Sequence, residues 1–137
     1  MNRNVFAAAV AALFLAAAST AWAQSPDFGT LPGTWLGQVA DSKGRPVSLV
    51  FSLTSVKLGD DSGTVRWGGT LQCKTGLQVS GVGPRSLELV ATSGSGGACD
   101  TLRNGYATVT REASGTDLTF TFGKDGKTLY TATLKHE

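Results

Sequence analysis

The chain has 137 residues, of which 41% are hydrophobic and 16% charged, with a formal net charge of +2. That length suits one domain, the apolar share is too high for disorder, and the charge is too small for an electrostatic nucleic-acid binder. Eighteen glycines against four prolines and a single histidine indicate many turns and few side chains suited to catalysis.

The first element is an address. Arg3 precedes an uninterrupted apolar stretch at 5–18, and Ala21-Trp22-Ala23 offers small residues where a signal peptidase reads them. The stretch is shorter than the roughly 20 residues a bilayer span needs, so a secretory signal peptide over 1–23 and a mature domain over 24–137 are expected. Cleavage there removes one basic residue and leaves a slightly basic product. No cysteine stands at the cleavage site, which argues against a lipid anchor, and a periplasmic or secreted protein with no membrane span is expected.

Strand signals then recur to the end of the chain, and helical periodicity is absent. Val47, Leu49, Phe51 and Leu53 alternate with Ser48, Val50, Ser52 and Thr54, while Leu118, Phe120 and Phe122 alternate with Thr119 and Thr121. Each run therefore has an apolar face to bury and a mostly hydroxyl face for water. Similar runs occupy 34–40, 63–67, 77–82, 86–92, 106–111 and 128–135, eight in all. Asp41-Ser42-Lys43-Gly44, Gly59-Asp60-Asp61-Ser62-Gly63, Ala113-Ser114-Gly115 and Lys124-Asp125-Gly126-Lys127 supply turn chemistry between them. The predicted fold is all-β, a single antiparallel up-and-down barrel or sandwich of about eight strands, with Leu49, Phe51, Leu53, Leu87, Leu89, Leu118, Phe120 and Phe122 in its core. Residues 93–105 form the one long irregular segment.

Cys73 and Cys99 are the only cysteines. In an exported chain of this size they read as one disulfide, and closing that loop is worth roughly 3 kcal/mol on the chain-entropy model. No CxxC spacing is present, and His136 adds too little to two cysteines for a zinc site. An outer-membrane barrel fits poorly, because the aromatic residues after position 23 are too few for two interfacial girdles and the last strand ends on Lys135-His136-Glu137.

Catalytic constellations are scarce. A histidine-dependent mechanism would rest on His136, beside the chain end, where order is usually low. The aspartates at 41, 60, 61, 117 and 125 lie in turns, where side-chain to backbone hydrogen bonds account for them, and Glu88 alone sits mid-strand, facing outward by alternation. Gly94-Ser95-Gly96-Gly97 opens no helix and precedes no lysine, so it is no phosphate loop. Neither catalysis nor a cofactor or metal is expected.

Gly33-Thr34-Trp35 opens the first mature strand, and Lys135 stands near the end of the last, where in a closed barrel it could cover the indole face. This resembles the calycins, the lipocalin and avidin group of small antiparallel barrels, which open with Gly-x-Trp and often lay a basic residue of the last strand across that tryptophan. The resemblance implies a closed barrel able to carry a small apolar ligand. It does not extend to biotin binding, since Leu36-Gly37-Gln38 follows Trp35 and Trp67 is the only other tryptophan of the mature chain.

Tryptophan and arginine dominate binding hot spots, so Trp67 with Arg66, then Arg85, Arg111 and the loop residues Asp100, Arg103 and Asn104, form the candidate contact surface. The functional expectation is an exported, non-catalytic binding protein whose partner is another macromolecule, in an inhibitor or immunity role. The alternative is a calycin-like carrier of a small apolar molecule. The glycines at 37, 68, 69, 76, 81 and 83 favour the carrier by leaving space, and the large inward leucines and phenylalanines favour surface binding.

Overall fold

The computed structural model describes residues 31–112 and 116–137. The expected signal peptide, its cleavage site and the 113–115 turn lie outside the described residues. Eight strands run in chain order: β1 Gly33–Ala40, β2 Pro46–Leu53, β3 Gly63–Trp67, β4 Cys73–Val82, β5 Ser86–Gly94, β6 Tyr106–Arg111, β7 Leu118–Lys124 and β8 Lys127–His136. Each pairs antiparallel with the next, and β1 pairs with β8, so the sheet closes into a barrel rather than splitting into a sandwich. Closure gives both end strands a partner, which shields the edges that an open sheet would present to another chain.

Alternation decides which residues point inward. All eight expected core residues are buried to 2% exposure or less, each such leucine or phenylalanine contributing about 1.5–3 kcal/mol when removed from water. Inside, Phe51 lies 5.8 Å from Phe120, and Trp67 lies 6.3 Å from Phe120 and 5.6 Å from Phe122, ring centre to ring centre. The outer face is hydroxyl-rich. Thr108, Thr121 and Thr131 stand side by side across β6, β7 and β8, as do Thr110, Thr119 and Thr133, and β-branched threonines suit a half-exposed pleat.

Two features depart from the expected elements. β4 begins at Cys73, four residues before its predicted start, because Lys74 and Thr75 continue the pairing with β3. The 93–105 segment is not wholly irregular either, for it contains a 3-10 helical turn, Gly97–Leu102. Gly96 and Gly97 adopt φ of 98° and 59° at its start, conformations that glycine takes without steric cost. The Cys73–Cys99 disulfide, with Cα atoms 5.7 Å apart, tucks Cys99 and Leu102 into the core.

The barrel therefore has two unlike ends. One gathers the start of β1, the end of β8 and the β2–β3, β4–β5 and β6–β7 connections, and is called here the Trp35 end. The other, the disulfide end, gathers the β1–β2, β3–β4, β5–β6 and β7–β8 connections.

Candidate functional site

Three of the seven sequence-selected residues sit at the disulfide end, two at the Trp35 end, and Arg66 and Trp67 on β3. They do not form one surface. Asp100 and Arg103 make a loose ion pair of 3.9 Å, both about 55% exposed, which is worth little in water. Asn104 has φ of 65°, a left-handed position that asparagine tolerates, and its N–H donates to the Ala91 carbonyl. That loop trio is explained by the turn.

At the other end the Arg85 guanidinium donates to the Arg111 carbonyl at 3.5 Å, and the Arg111 N–H donates to the Arg85 carbonyl. Arg111 also borders a cleft of about 310 Å³ with Trp35, Thr116 and His136. Trp35 donates its indole N–H to the Leu31 carbonyl at 2.9 Å. The residue lying on Trp35 is not Lys135 but His136, whose ring stands edge-on at 4.8 Å. Lys135 pairs with Leu36 instead, one residue out of phase with Trp35 and hence on the outside. His136 is thus held in β8 rather than frayed.

Trp67 corrects a second expectation. It is 1% exposed and its indole N–H donates to the Thr75 hydroxyl at 3.0 Å, so it belongs to the core and not to a contact surface. The signal was present in the sequence, because Trp67 is in phase with Val65, and Arg66 between them points out. The glycines expected to leave room inside do not. A side chain at Gly37 would meet Leu134 Cδ2 at 2.6 Å, and those at Gly68 and Gly76 would meet the hydroxyls of Ser48 and Ser93.

What remains outside is a cleft of about 440 Å³ bordered by Ser48, Val50, Arg66, Gln72, Lys74 and Ser95. A neighbouring one of about 650 Å³ shares Lys74 and Ser95 and continues over Thr64, Gly76 and Ser93, with Asp61 on its border. Ser95 fixes the boundary between them: its N–H donates to the Lys74 carbonyl at 2.9 Å, and its hydroxyl accepts the Lys74 N–H at 2.8 Å. Arg66 and Lys74 are direct cross-strand partners. Their side chains have no hydrogen-bond or ion-pair partner among the described residues.

No family model, curated protein or solved structure matches the chain.

Chemical tools other than charge are few. Glu88 is exposed and lies over Gly81 on the outer face. Among the described residues no group of three histidine, cysteine or acidic side chains could hold a metal, and no helix is long and apolar enough to cross a membrane. The Asp41 carboxyl is held below its ordinary value, chiefly by the Arg45 N–H and further by the Lys43 N–H, the Arg45 guanidinium and the Thr70 hydroxyl. Burial, with the Asp41 charge nearby, pushes the Tyr130 hydroxyl above its ordinary value. Both perturbations have local structural causes.

Proposed function

We propose that the chain is an exported, non-catalytic binding protein that engages another macromolecule on the outside of its barrel, in the manner of an inhibitor or immunity protein. The observation that carries this is the contrast between inside and outside. An eight-stranded barrel is just wide enough to be filled by side chains or to hold one small ligand, and here Phe51, Trp67, Phe120 and Phe122 pack on one another across the interior in tilted and edge-on pairs. The cleft on β2, β3 and β4, by contrast, carries free Arg66 and Lys74. The disulfide supports an oxidising compartment, and the threonine rows on the outer face suit water rather than lipid.

A second reading, the carrier of a small apolar molecule, draws support from the calycin-like start. Gly33-Thr34-Trp35 opens β1 and β1 closes on β8, although the residue beside the indole is His136 and not the lysine that the resemblance implies. Native mass spectrometry of protein purified from its own source, beside affinity capture from the same extract, separates the two. A specific stoichiometric protein partner supports the first reading, and a stoichiometric small molecule overturns it in favour of the second. Turnover abolished by Glu88→Gln removes both. Intact mass on the same sample tests export, with residues 1–23 absent and no alkylatable thiol expected.

A further inference from the structure

The proposed surface has a composition that single residues do not reveal. Lys135 pairs with Leu36, Leu36 with Val50, Val50 with Arg66, and Arg66 with Lys74. Cross-strand partners share a face, so these five side chains make one continuous row over β8, β1, β2, β3 and β4 on the outside of the barrel. Two aliphatic residues lie in the middle, Leu36 being 42% exposed, with one cation at one end and two at the other. No acidic residue is in the row, and none of the three cationic side chains has a hydrogen-bond or ion-pair partner among the described residues.

The flanking rows are polar. Ser48 faces Gln38, and Ser52 faces Thr34 and Thr64, with Gly76 beyond, while Glu137, whose N–H donates to the Thr34 carbonyl, borders the row near Lys135. The serines, threonines and glycine let another backbone come close to the middle of the row. Placing Arg66 directly opposite Lys74 works against folding, because like charges at paired positions repel, and the barrel draws no bond in return. Neither cation is neutralised among the described residues, so both are available to a partner outside the barrel.

Building on the macromolecule-binding reading, we infer that the Lys135–Leu36–Val50–Arg66–Lys74 row is the docking surface for an acidic protein segment, one presenting carboxylates on either side of an apolar residue. The apolar centre selects a protein over a polyanionic glycan. Protein interfaces combine an apolar middle with a polar, charged rim, whereas a glycan chain would be matched by an unbroken line of cations. Leu36 and Val50 supply the middle, and complementary charge at the rim sets orientation and association rate.

The test uses intact purified protein and a peptide of two leucines flanked on each side by three glutamates, beside octaglutamate and a heparin octasaccharide. The leucine peptide is expected to bind tightest, to weaken as salt rises, and to shift the amide resonances of Leu36, Val50, Arg66 and Lys74. Arg66→Ser with Lys74→Ser should weaken it about tenfold, as loss of two rim charges implies, while the unfolding midpoint stays or rises. Lys135→Ser, remote from that pair, should weaken it by about half as much on the free-energy scale. Tighter heparin binding, equal binding of octaglutamate, resonance shifts elsewhere, undiminished affinity in the variants, or a lowered midpoint for the double variant each overturn the inference. A protein that co-purifies from the source and binds the double variant as well as the wild type keeps the broader reading and removes this surface alone.

Discussion

Thr75 is fully buried, a polar residue in an apolar interior, and it is there because Trp67 needs it. A buried indole N–H without an acceptor costs about 1–3 kcal/mol, more than the bond itself contributes. Thr75→Val keeps the shape and adds apolar surface, yet should destabilise by about 1–3 kcal/mol. In Trp67→Phe the same Thr75→Val change should cost far less, and urea unfolding of the four proteins measures that coupling; an additive result would remove the bond from the account. Asp41 is the second residue whose neighbours explain it. Its Oδ1 accepts the Lys43 and Arg45 N–H groups at 2.9 Å each, and its Oδ2 accepts from the Arg45 guanidinium and the Thr70 hydroxyl. The folded state therefore favours the ionised form. The contribution is fully present above the unfolded value near 3.8 and is lost as pH falls through the lower folded value. The stability difference between wild type and Asp41→Asn should thus be constant from neutral pH to about 5 and shrink below about 4. Urea midpoints that stay parallel down to pH 2 would contradict this.

The β1–β8 seam is the element on which closure depends. Register is shared at Trp35 with His136 and at Leu36 with Lys135, fewer positions than along any other neighbouring pair. Gly37 makes the approach feasible, because a Cβ there would stand 2.6 Å from Leu134 Cδ2 and 2.9 Å from the Thr133 carbonyl oxygen. The side chain could turn aside, but the backbone oxygen could not without moving β8. Gly37→Ala should therefore destabilise by about 1–3 kcal/mol, as overpacking does, and hydrogen exchange should quicken first in β1 and β8. Uniform acceleration over all strands would mean the seam opens only with the whole barrel. Elsewhere the strand ends are set by turn chemistry: Asp125 and Gly126 adopt φ of 54° and 75° between β7 and β8, as a two-residue hairpin requires.

For the whole molecule, the disulfide is the covalent link between two connections of one end. It joins the start of β4 to the 3-10 turn between β5 and β6, 26 residues apart. Lys124 adds a bond from its ammonium group to the Thr101 carbonyl at 2.6 Å. Replacing both cysteines by alanine should lower stability by roughly 3 kcal/mol on the chain-entropy model, with the barrel retained, since Phe51, Trp67, Phe120 and Phe122 still pack on one another although Trp67 stands opposite Cys73. Far-ultraviolet circular dichroism and thermal unfolding check both halves of that statement. Collapse of the strand signal at low temperature would show that the bridge is needed for the fold itself.

The strands, their inward residues and the cysteine pairing were legible in the sequence, because each rests on local pattern: period-two alternation, turn residues and the count of thiols. The same alternation carried the burial of Trp67, in phase with Val65. Barrel rather than sandwich was not legible, since it depends on whether β1 meets β8, a contact between the two ends of the chain. Nor was the residue that lies on Trp35. Lys135 and His136 differ by one position, and a one-residue difference in register exchanges the inner face for the outer. For the same reason the row from Lys135 to Lys74 exists only in three dimensions. Its five residues come from five strands, and only hydrogen-bonded register, fixed by the packing of the whole barrel, sets them side by side.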